Sequence, residues 1–329
     1  MKEEGYRMPS SRELARSWAY PRQKPFEGTL RKAAAAWFAK RGLTTHTQMP
    51  YCLDAHENWA DNVILNEVAS LIRTEQEMRL GVDAFPLHKY LHHGLSSQAM
   101  LFNLVGPLLV RKDLDPLRVA CEAAGIPWPQ GRITHHLEAE DRAVFNEDTG
   151  QPTSLDLAIT GEQGAPLYFE AKLVEKEFGG CSVFAQGDCD GQNPVRDLSS
   201  CYLHHVGRLY WTQMADQGVL DSPIATGCIC PFASYYQFFR EMLFAAEKGG
   251  HLVLLYDARN PVFVREGTSG RPTRGLWPFL VTTIPSRLHT RLHTLTLQDV
   301  VRALEDSRRH GDWIATFKGK YGLVPEAGS

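Results

Sequence analysis

A chain of 329 residues with 43% hydrophobic and 22% charged residues falls among ordinary globular sequences, large enough for a sizeable core, and not among disordered or fibrous ones. Thirty-five Lys and Arg against 38 Asp and Glu give a net charge of −3, which disfavours a protein that binds phosphate backbone over its whole surface. No stretch reaches the ~18–20 consecutive apolar residues of a membrane span, and the polar start MKEEGYRMPSSREL lacks a signal peptide's apolar region, so a cytoplasmic chain is expected.

Charge is nevertheless uneven. Residues 1–41 hold ten Lys or Arg against four acids, which marks a basic N-terminal extension over 1–57, and a second basic stretch runs from Arg265 to Arg291. The segment 29–42, TLRKAAAAWFAKRG, predicts a helix with Thr29 as N-cap and Gly42 beyond its end. Residues 59–80 place Ile64, Val68, Leu71 and Ile72 at helical spacing. The run 96–110, SSQAMLFNLVGPLLV, is apolar all round and predicts a central helix. Asp115-Pro116 and Gly125 bracket a further helix over 116–124. After IPWPQG the period changes, and ITHHLEAEDRAVF, 153–159 and 167–174 predict three strands, the last two joined by the short GEQGA and therefore an antiparallel hairpin. Residues 175–200, rich in Gly, Asp, Asn and Ser, predict a long loop of the kind that carries function. Residues 251–258 and 277–285 predict strands, and 295–306 a helix that packs Val300, Val301 and Leu304. The expected organisation is thus a 1–57 extension, a 58–258 core and a 259–329 strand and helix region packed on that core.

The hairpin carries the chemistry. Alternation puts Leu155, Leu157 and Ile159 on one face with Leu167, Phe169, Ala171 and Leu173, and leaves Asp156, Glu170 and Lys172 on the other. A turn centred near Gln163 pairs Leu157 with Phe169 and sets Asp156 against Glu170. Like charges so opposed are destabilising. Lys172 supplies one positive charge, and two hard oxygen ligands also suit Mg²⁺, which binds through one or two carboxylates with waters and substrate phosphates. Such a site fits phosphodiester hydrolysis, with Lys172 orienting the nucleophile or stabilising transition-state charge.

Asp156, followed across a hairpin by Glu170-Ala171-Lys172, resembles the D…(D/E)-x-K signature of the PD-(D/E)XK nuclease superfamily, without the proline of its formal name. Ser96-Ser97-Gln98-Ala99-Met100-Leu101-Phe102-Asn103 with Gly106-Pro107-Leu108 resembles a helix found in a family of prokaryotic restriction endonucleases of that superfamily. The resemblance runs from about Asn58 to Tyr256. It implies an α/β restriction-endonuclease-like core, a central mixed sheet flanked by helices, behind a helical N-terminal region. It implies Mg²⁺ or Mn²⁺ at Asp156 and Glu170, with the Ala171 carbonyl as a further ligand, and Lys172 positioning or activating water. Glu67 is the candidate helix-borne acid, and Gln98, or Gln186 or Gln192, the candidate additional polar residue. DNA would be the substrate and defence against foreign DNA the role.

Seven cysteines, an odd number in a chain without an export signal, argue against a disulfide framework. Cys181, Cys189 and Cys201, with Cys228 or Cys230, are candidate thiolates for structural Zn²⁺ or an iron–sulfur cluster, although no C-x2-C pair is present and buried free thiols are the plainer reading. Arg31 and Lys32 on the basic helix and Arg208 in VGRLYWTQM are candidate phosphate contacts, while Arg208 packed on an aromatic neighbour fits equally. No GxxxxGK[ST], GxGxxG or GxSxG is present, so any ATP-driven translocation, or added specificity, falls to a separate partner. Double-strand cutting suggests a homodimer. A catalytically silent nucleic-acid-binding protein and a zinc-containing scaffold of the same fold are the alternatives.

Overall fold

The computed structural model describes residues 23–264 and 275–323. The basic residues before Gln23 and those from Arg265 to Arg274 lie outside the described residues. Among the described residues no helix is long and apolar enough to cross a membrane.

The centre is a five-stranded mixed sheet, ordered β3 (Thr134–Glu140), β4 (Ser154–Thr160), β5 (Leu167–Lys172), β6 (His251–Tyr256) and β7 (Leu292–Thr296). β3, β4 and β5 are antiparallel neighbours, whereas β5, β6 and β7 run parallel. The hairpin register is the one expected, with Leu157 opposite Phe169 and Ile159 opposite Leu167. β1 (Thr45–His46) and β2 (Met49–Leu53) form a separate small hairpin. The division expected at residue 258 falls between β6 and β7, two neighbours in one sheet.

Both faces of the sheet are covered, which explains why its inner strands are so apolar. On one face Leu157, Ile159, Phe169, Ala171, Val253 and Leu255 meet the N-terminal helices and the C-terminal helices Leu297–Ser307 and Gly311–Lys320. On the other, Ala158, Tyr168, Leu252 and Leu254 meet Phe238, Phe239, Met242 and Leu243 of the Pro231–Glu247 helix. The face that bears Asp156, Glu170 and Lys172 is therefore roofed by a helix and is not an open solvated surface.

Several expected elements are corrected. The first described helix runs Gln23–Lys40, so Thr29 lies inside it and donates its hydroxyl to the Pro25 carbonyl instead of capping it. The 59–80 segment divides into a 3-10 turn, His56–Asn62, and a helix, Asn66–Met78. The 96–110 run breaks into Ser97–Leu104 and Gly106–Arg111 because Pro107 has no N–H to continue the first helix. Gly106 is needed there, since a Cβ would stand 2.5 Å from Val68 Cγ1. Asp115 lies in the first turn of Asp115–Ala123 and pairs with Arg118, so it does not cap. The apolar run 277–285 is not a strand. It forms the helix Leu276–Thr282, with Pro278 in the first turn, where its missing N–H is harmless, and Trp277 and Leu280 buried three residues apart. The strand β7 lies further on, and Thr296 caps the following helix by accepting from the Asp299 N–H. The Pro231–Glu247 helix has no counterpart among the expected elements.

Asn103, on the buried Ser97–Leu104 helix, ties together the N-terminal and C-terminal segments that cover one face of the sheet. Its Oδ1 accepts from the Ile64 N–H at 2.6 Å, and its Nδ2 donates to the Asn62 carbonyl and the Tyr321 hydroxyl. Its role is structural. Asn103→Ala strips the Ile64 N–H of its partner and should cost about 1–3 kcal/mol in urea unfolding; an unchanged midpoint would show that the bond contributes nothing.

Candidate active site

β4 and β5 are adjacent, so the register sets Asp156 beside Glu170, and the Ala171 N–H donates to Asp156 Oδ2 at 2.7 Å. Glu170 and Lys172, two residues apart on one strand, share the face under the roofing helix. Lys172 Nζ donates to Glu170 Oε1 at 2.7 Å and to Gln237 Oε1 at 2.8 Å, and Gln237 Nε2 donates to the same Glu170 oxygen at 2.7 Å. Gln237 comes from the Pro231–Glu247 helix and closes a triangle that fixes the lysine and the carboxylate together. Glu170 and Lys172 are each 5% exposed, while Asp156 is half-buried.

Glu138 was not foreseen. The β3–β4 register pairs Leu137 with Leu157 and Ala139 with Leu155, which sets Glu138 opposite Asp156 on the other side from Glu170. Glu138 has φ +48°, a conformation costly for a residue with a Cβ. Arg79 braces the distortion by donating to the Leu137 and Glu138 carbonyls. The Glu138 carboxylate accepts from Gln98 Nε2 at 2.6 Å and Ser154 Oγ at 2.9 Å. Three neighbouring strands thus carry Glu138, Asp156 and Glu170 in a row.

Glu241, one helical turn after Gln237 and 1% exposed, adds a fourth carboxylate that faces Glu170, and its Oε2 has no hydrogen-bond partner. Arg240 holds this helix in place, donating to Thr153 Oγ1 at 2.8 Å and to the buried Glu147 at 2.9 Å.

The electrostatics follow from the crowding. Burial first, then Glu170 and Glu138, raise the Asp156 carboxyl well above its usual range. Burial and Glu170 likewise raise Glu241. Burial pushes Glu138 up to about 7 against the opposing bonds from Gln98 and Ser154. For Lys172, burial disfavours the ammonium, yet Glu170, Glu241 and Glu175 outweigh it and raise its pKa. A cluster of carboxylates whose ionisation is resisted this strongly, on oxygen ligands of the hard type, is suited to a divalent cation. The orphaned Glu241 oxygen is a further observation that fits one. Among the described residues no three His, Cys, Asp or Glu side chains close around a single point. Asp156 and Glu170 would therefore supply a minority of the ligands, a division that Mg²⁺, which keeps several waters, accommodates.

Of the other candidates, Gln98 reaches the margin of the site through Glu138, and also donates to the Pro86 carbonyl while accepting from the His88 N–H. Glu67 is not brought in: it stands exposed and faces Arg111, which is itself held by Asp312. Gln186 and Gln192 are exposed on the loop. Arg208 is a brace and not a free cation, bonded to the Asn146 carbonyl, Asp148 and Thr149. Arg31 pairs with Glu27 and lies over Tyr51, and Lys32 beside it is exposed. Cys228 is exposed, whereas Cys230 is buried near Cys181 and Cys201. A groove of about 920 Å³ lined by Lys112, Arg118, Arg132 and Arg309 shares no residue with the carboxylate site.

The family described as restriction endonuclease associating with ARP matches residues 31–322, which span the whole sheet and both of its covering layers. The chain belongs to this restriction-endonuclease family. No curated protein matches it, and no solved structure does. The family assignment fits the mixed sheet flanked by helices and supports a nuclease of defence type.

The raised Glu138 pKa has a thermodynamic consequence. Between its ordinary 4.5 and about 7 the folded chain holds a proton that the unfolded chain releases, so this group's contribution to stability falls as pH rises through that window. In EDTA, Glu138→Gln should lose roughly 1–3 kcal/mol less stability than the wild type between pH 5 and pH 7.5 in urea unfolding. Parallel pH profiles for the two proteins would contradict the assignment.

Proposed function

We propose that this restriction-endonuclease-family protein is a divalent-metal-dependent endonuclease of the PD-(D/E)XK type that hydrolyses phosphodiester bonds of DNA. The observation that carries the reading is the Asp156, Glu170 and Lys172 constellation on one buried strand pair, with Lys172 locked onto Glu170 and Gln237. Asp156 and Glu170 would hold Mg²⁺ or Mn²⁺, with the Ala171 carbonyl as a further ligand. The cation supplies Lewis acidity and charge neutralisation at the scissile phosphate.

The chain's own groups supply the rest. Lys172 remains an ammonium, so it acts by orienting the attacking water and by stabilising the negative charge that develops on the phosphate oxygens. Gln237 fixes the pair by accepting from the ammonium and donating to the carboxylate. Gln98 and Ser154 fix the Glu138 carboxylate, which in turn biases the charge on Asp156. The exposed Lys32, with the basic residues around it, would hold phosphate backbone independently of sequence. The family's description as associating with ARP supports a partner protein for translocation or specificity, and cutting both strands would call for a second copy of the chain. Restriction of foreign DNA is the role that this reading assigns.

Supercoiled plasmid incubated with the wild type in Mg²⁺ or Mn²⁺ should be nicked or linearised, and EDTA should abolish the reaction. Lys172→Ala should lower the cleavage rate by about 10²–10³-fold. Metal-independent cleavage, or an undiminished rate in folded Lys172→Ala, would refute the assignment.

A further inference from the structure

The chain between the Asn66–Met78 helix and the buried Ser97–Leu104 helix passes the rim of the carboxylate row, and it is pinned along its length. Buried Gln98 bonds Glu138 through Nε2, and the same side chain donates to the Pro86 carbonyl at 3.0 Å and accepts from the His88 N–H at 2.9 Å. One side chain thus joins the start of this loop to the row. Further on, fully buried Asn62 donates to the Leu91 carbonyl at 2.7 Å and the His93 carbonyl at 3.0 Å, and the Gly94 N–H donates to the Tyr51 carbonyl at 2.9 Å. Gly94 lies so close to the Gln23–Lys40 helix that a Cβ there would stand 2.6 Å from the Ala34 Cβ. Between these anchors the Leu91 and His93 N–H groups donate to the His88 and Tyr90 carbonyls, and the Tyr90 N–H donates to His88 Nδ1 at 3.3 Å.

The tip of this braced loop carries Lys89 and Tyr90 in solvent, with Tyr90 52% exposed and the Lys89 ammonium 4.8 Å from the centre of its ring. An aromatic ring so exposed adds little to the core, whereas beside a reactive centre a rigid loop is where a ligand is met. Electrostatics name the ligand. A row of carboxylates repels a phosphate backbone, and Lys172, Arg208 and Arg31 are engaged by Glu170, Asp148 and Glu27. Lys89 faces an aromatic ring in place of a carboxylate, so its charge stays available to an anion. Tyr51 links the loop to the basic helix, since its ring meets His93 edge-on at 5.1 Å and lies under Arg31 at 5.0 Å, with exposed Lys32 next in sequence.

We propose that Lys89 and Tyr90 are backbone contacts for the DNA whose scissile phosphate lies at the carboxylate row. The Lys89 ammonium pairs with a phosphate while the ring face steadies it, and the Tyr90 hydroxyl donates to a phosphate or sugar oxygen. Contacts of this kind fix the position of a duplex without reading its sequence. Because Gln98 ties the loop to Glu138, and Glu138 stands beside Asp156 on the neighbouring strand, DNA seated on the tip is held in a fixed relation to the site. The inference rests on DNA being the substrate, as the nuclease reading assigns.

The test is fluorescence anisotropy of a short labelled DNA duplex with the full chain in Ca²⁺ over a range of salt, beside Mg²⁺-dependent plasmid cleavage by the same preparations. Lys89→Ala should weaken binding about tenfold near 0.1 M salt and lower the slope of log affinity against log salt by about 0.9, the value of one phosphate contact. Tyr90→Ala removes no charge, so it should weaken binding several-fold with the slope unchanged. Lys89→Arg should keep the wild-type slope, and so should Arg302→Ala, which removes an exposed cation from the Leu297–Ser307 helix. In cleavage, kcat/KM should fall by the same factor as the affinity. An unchanged slope in Lys89→Ala, or an equal fall in Arg302→Ala, would overturn the contact, and unchanged affinity in Tyr90→Ala would remove the ring from it. A wild type that binds no duplex, or that prefers RNA of the same sequence, would overturn DNA as the occupant. A wild type that binds DNA through Lys89 yet cleaves nothing in Mg²⁺ or Mn²⁺ would uphold the contact and refute the nuclease reading alone.

Discussion

Three carboxylates held side by side across the middle of a sheet repel one another, and the surrounding structure is arranged to keep them there. Glu138, Asp156 and Glu170 sit on three consecutive strands, and burial denies them the water that would screen their charge. Protons can relieve the repulsion, which is why Asp156 and Glu138 hold theirs more tightly than usual. One ammonium, Lys172, relieves part of it. A divalent cation would relieve more, and that is the chemistry proposed for this member of a restriction-endonuclease family.

The roofing helix converts this charge problem into a defined geometry. Arg240, with a salt bridge to buried Glu147 and a bond to Thr153, clamps the helix over the start of β4. One turn earlier Gln237 reaches Lys172 and Glu170, and one residue later Glu241 turns its unpaired oxygen inward. Because the other side of the sheet is packed by an independent apolar layer, the strands cannot shift register to escape the repulsion without exposing Leu157, Ile159 and Phe169. Packing on one face thus holds the strained polar arrangement on the other.

Much of this was legible in the sequence because strands have a period of two. Alternation around Leu157 and Phe169, with a short turn, is enough to oppose Asp156 and Glu170 and to align Lys172 with them. Glu138 could not be read the same way, since its left-handed backbone interrupts the alternation of ITHHLEAE. Gln237 and Glu241 enter through a tertiary contact from a helix that is rich in aromatics and has no local motif, although their spacing of four residues within an apolar helix was an available signal. The 277–285 run misled because a short apolar segment does not distinguish strand from buried helix, and only its partners decide. Glu67 misled because a helix edge close in sequence to apolar positions can still face a neighbouring arginine. Likewise, the tight pair Cys228 and Cys230 separates into one exposed and one buried thiol once Gly191 pairs with Cys230.

The claim on which the rest depends is that the carboxylate row is a cation site. A direct test is to titrate Mn²⁺ into the metal-free protein and follow the loss of the free-ion electron paramagnetic resonance signal, comparing the wild type with Asp156→Asn. The row predicts saturable Mn²⁺ binding at pH 8 that Mg²⁺ displaces and that the substitution weakens by at least tenfold, about 1.4 kcal/mol. Equal Mn²⁺ affinity in the two proteins would mean that the cation, if any, binds elsewhere and that the buried carboxylates are balanced by protons alone.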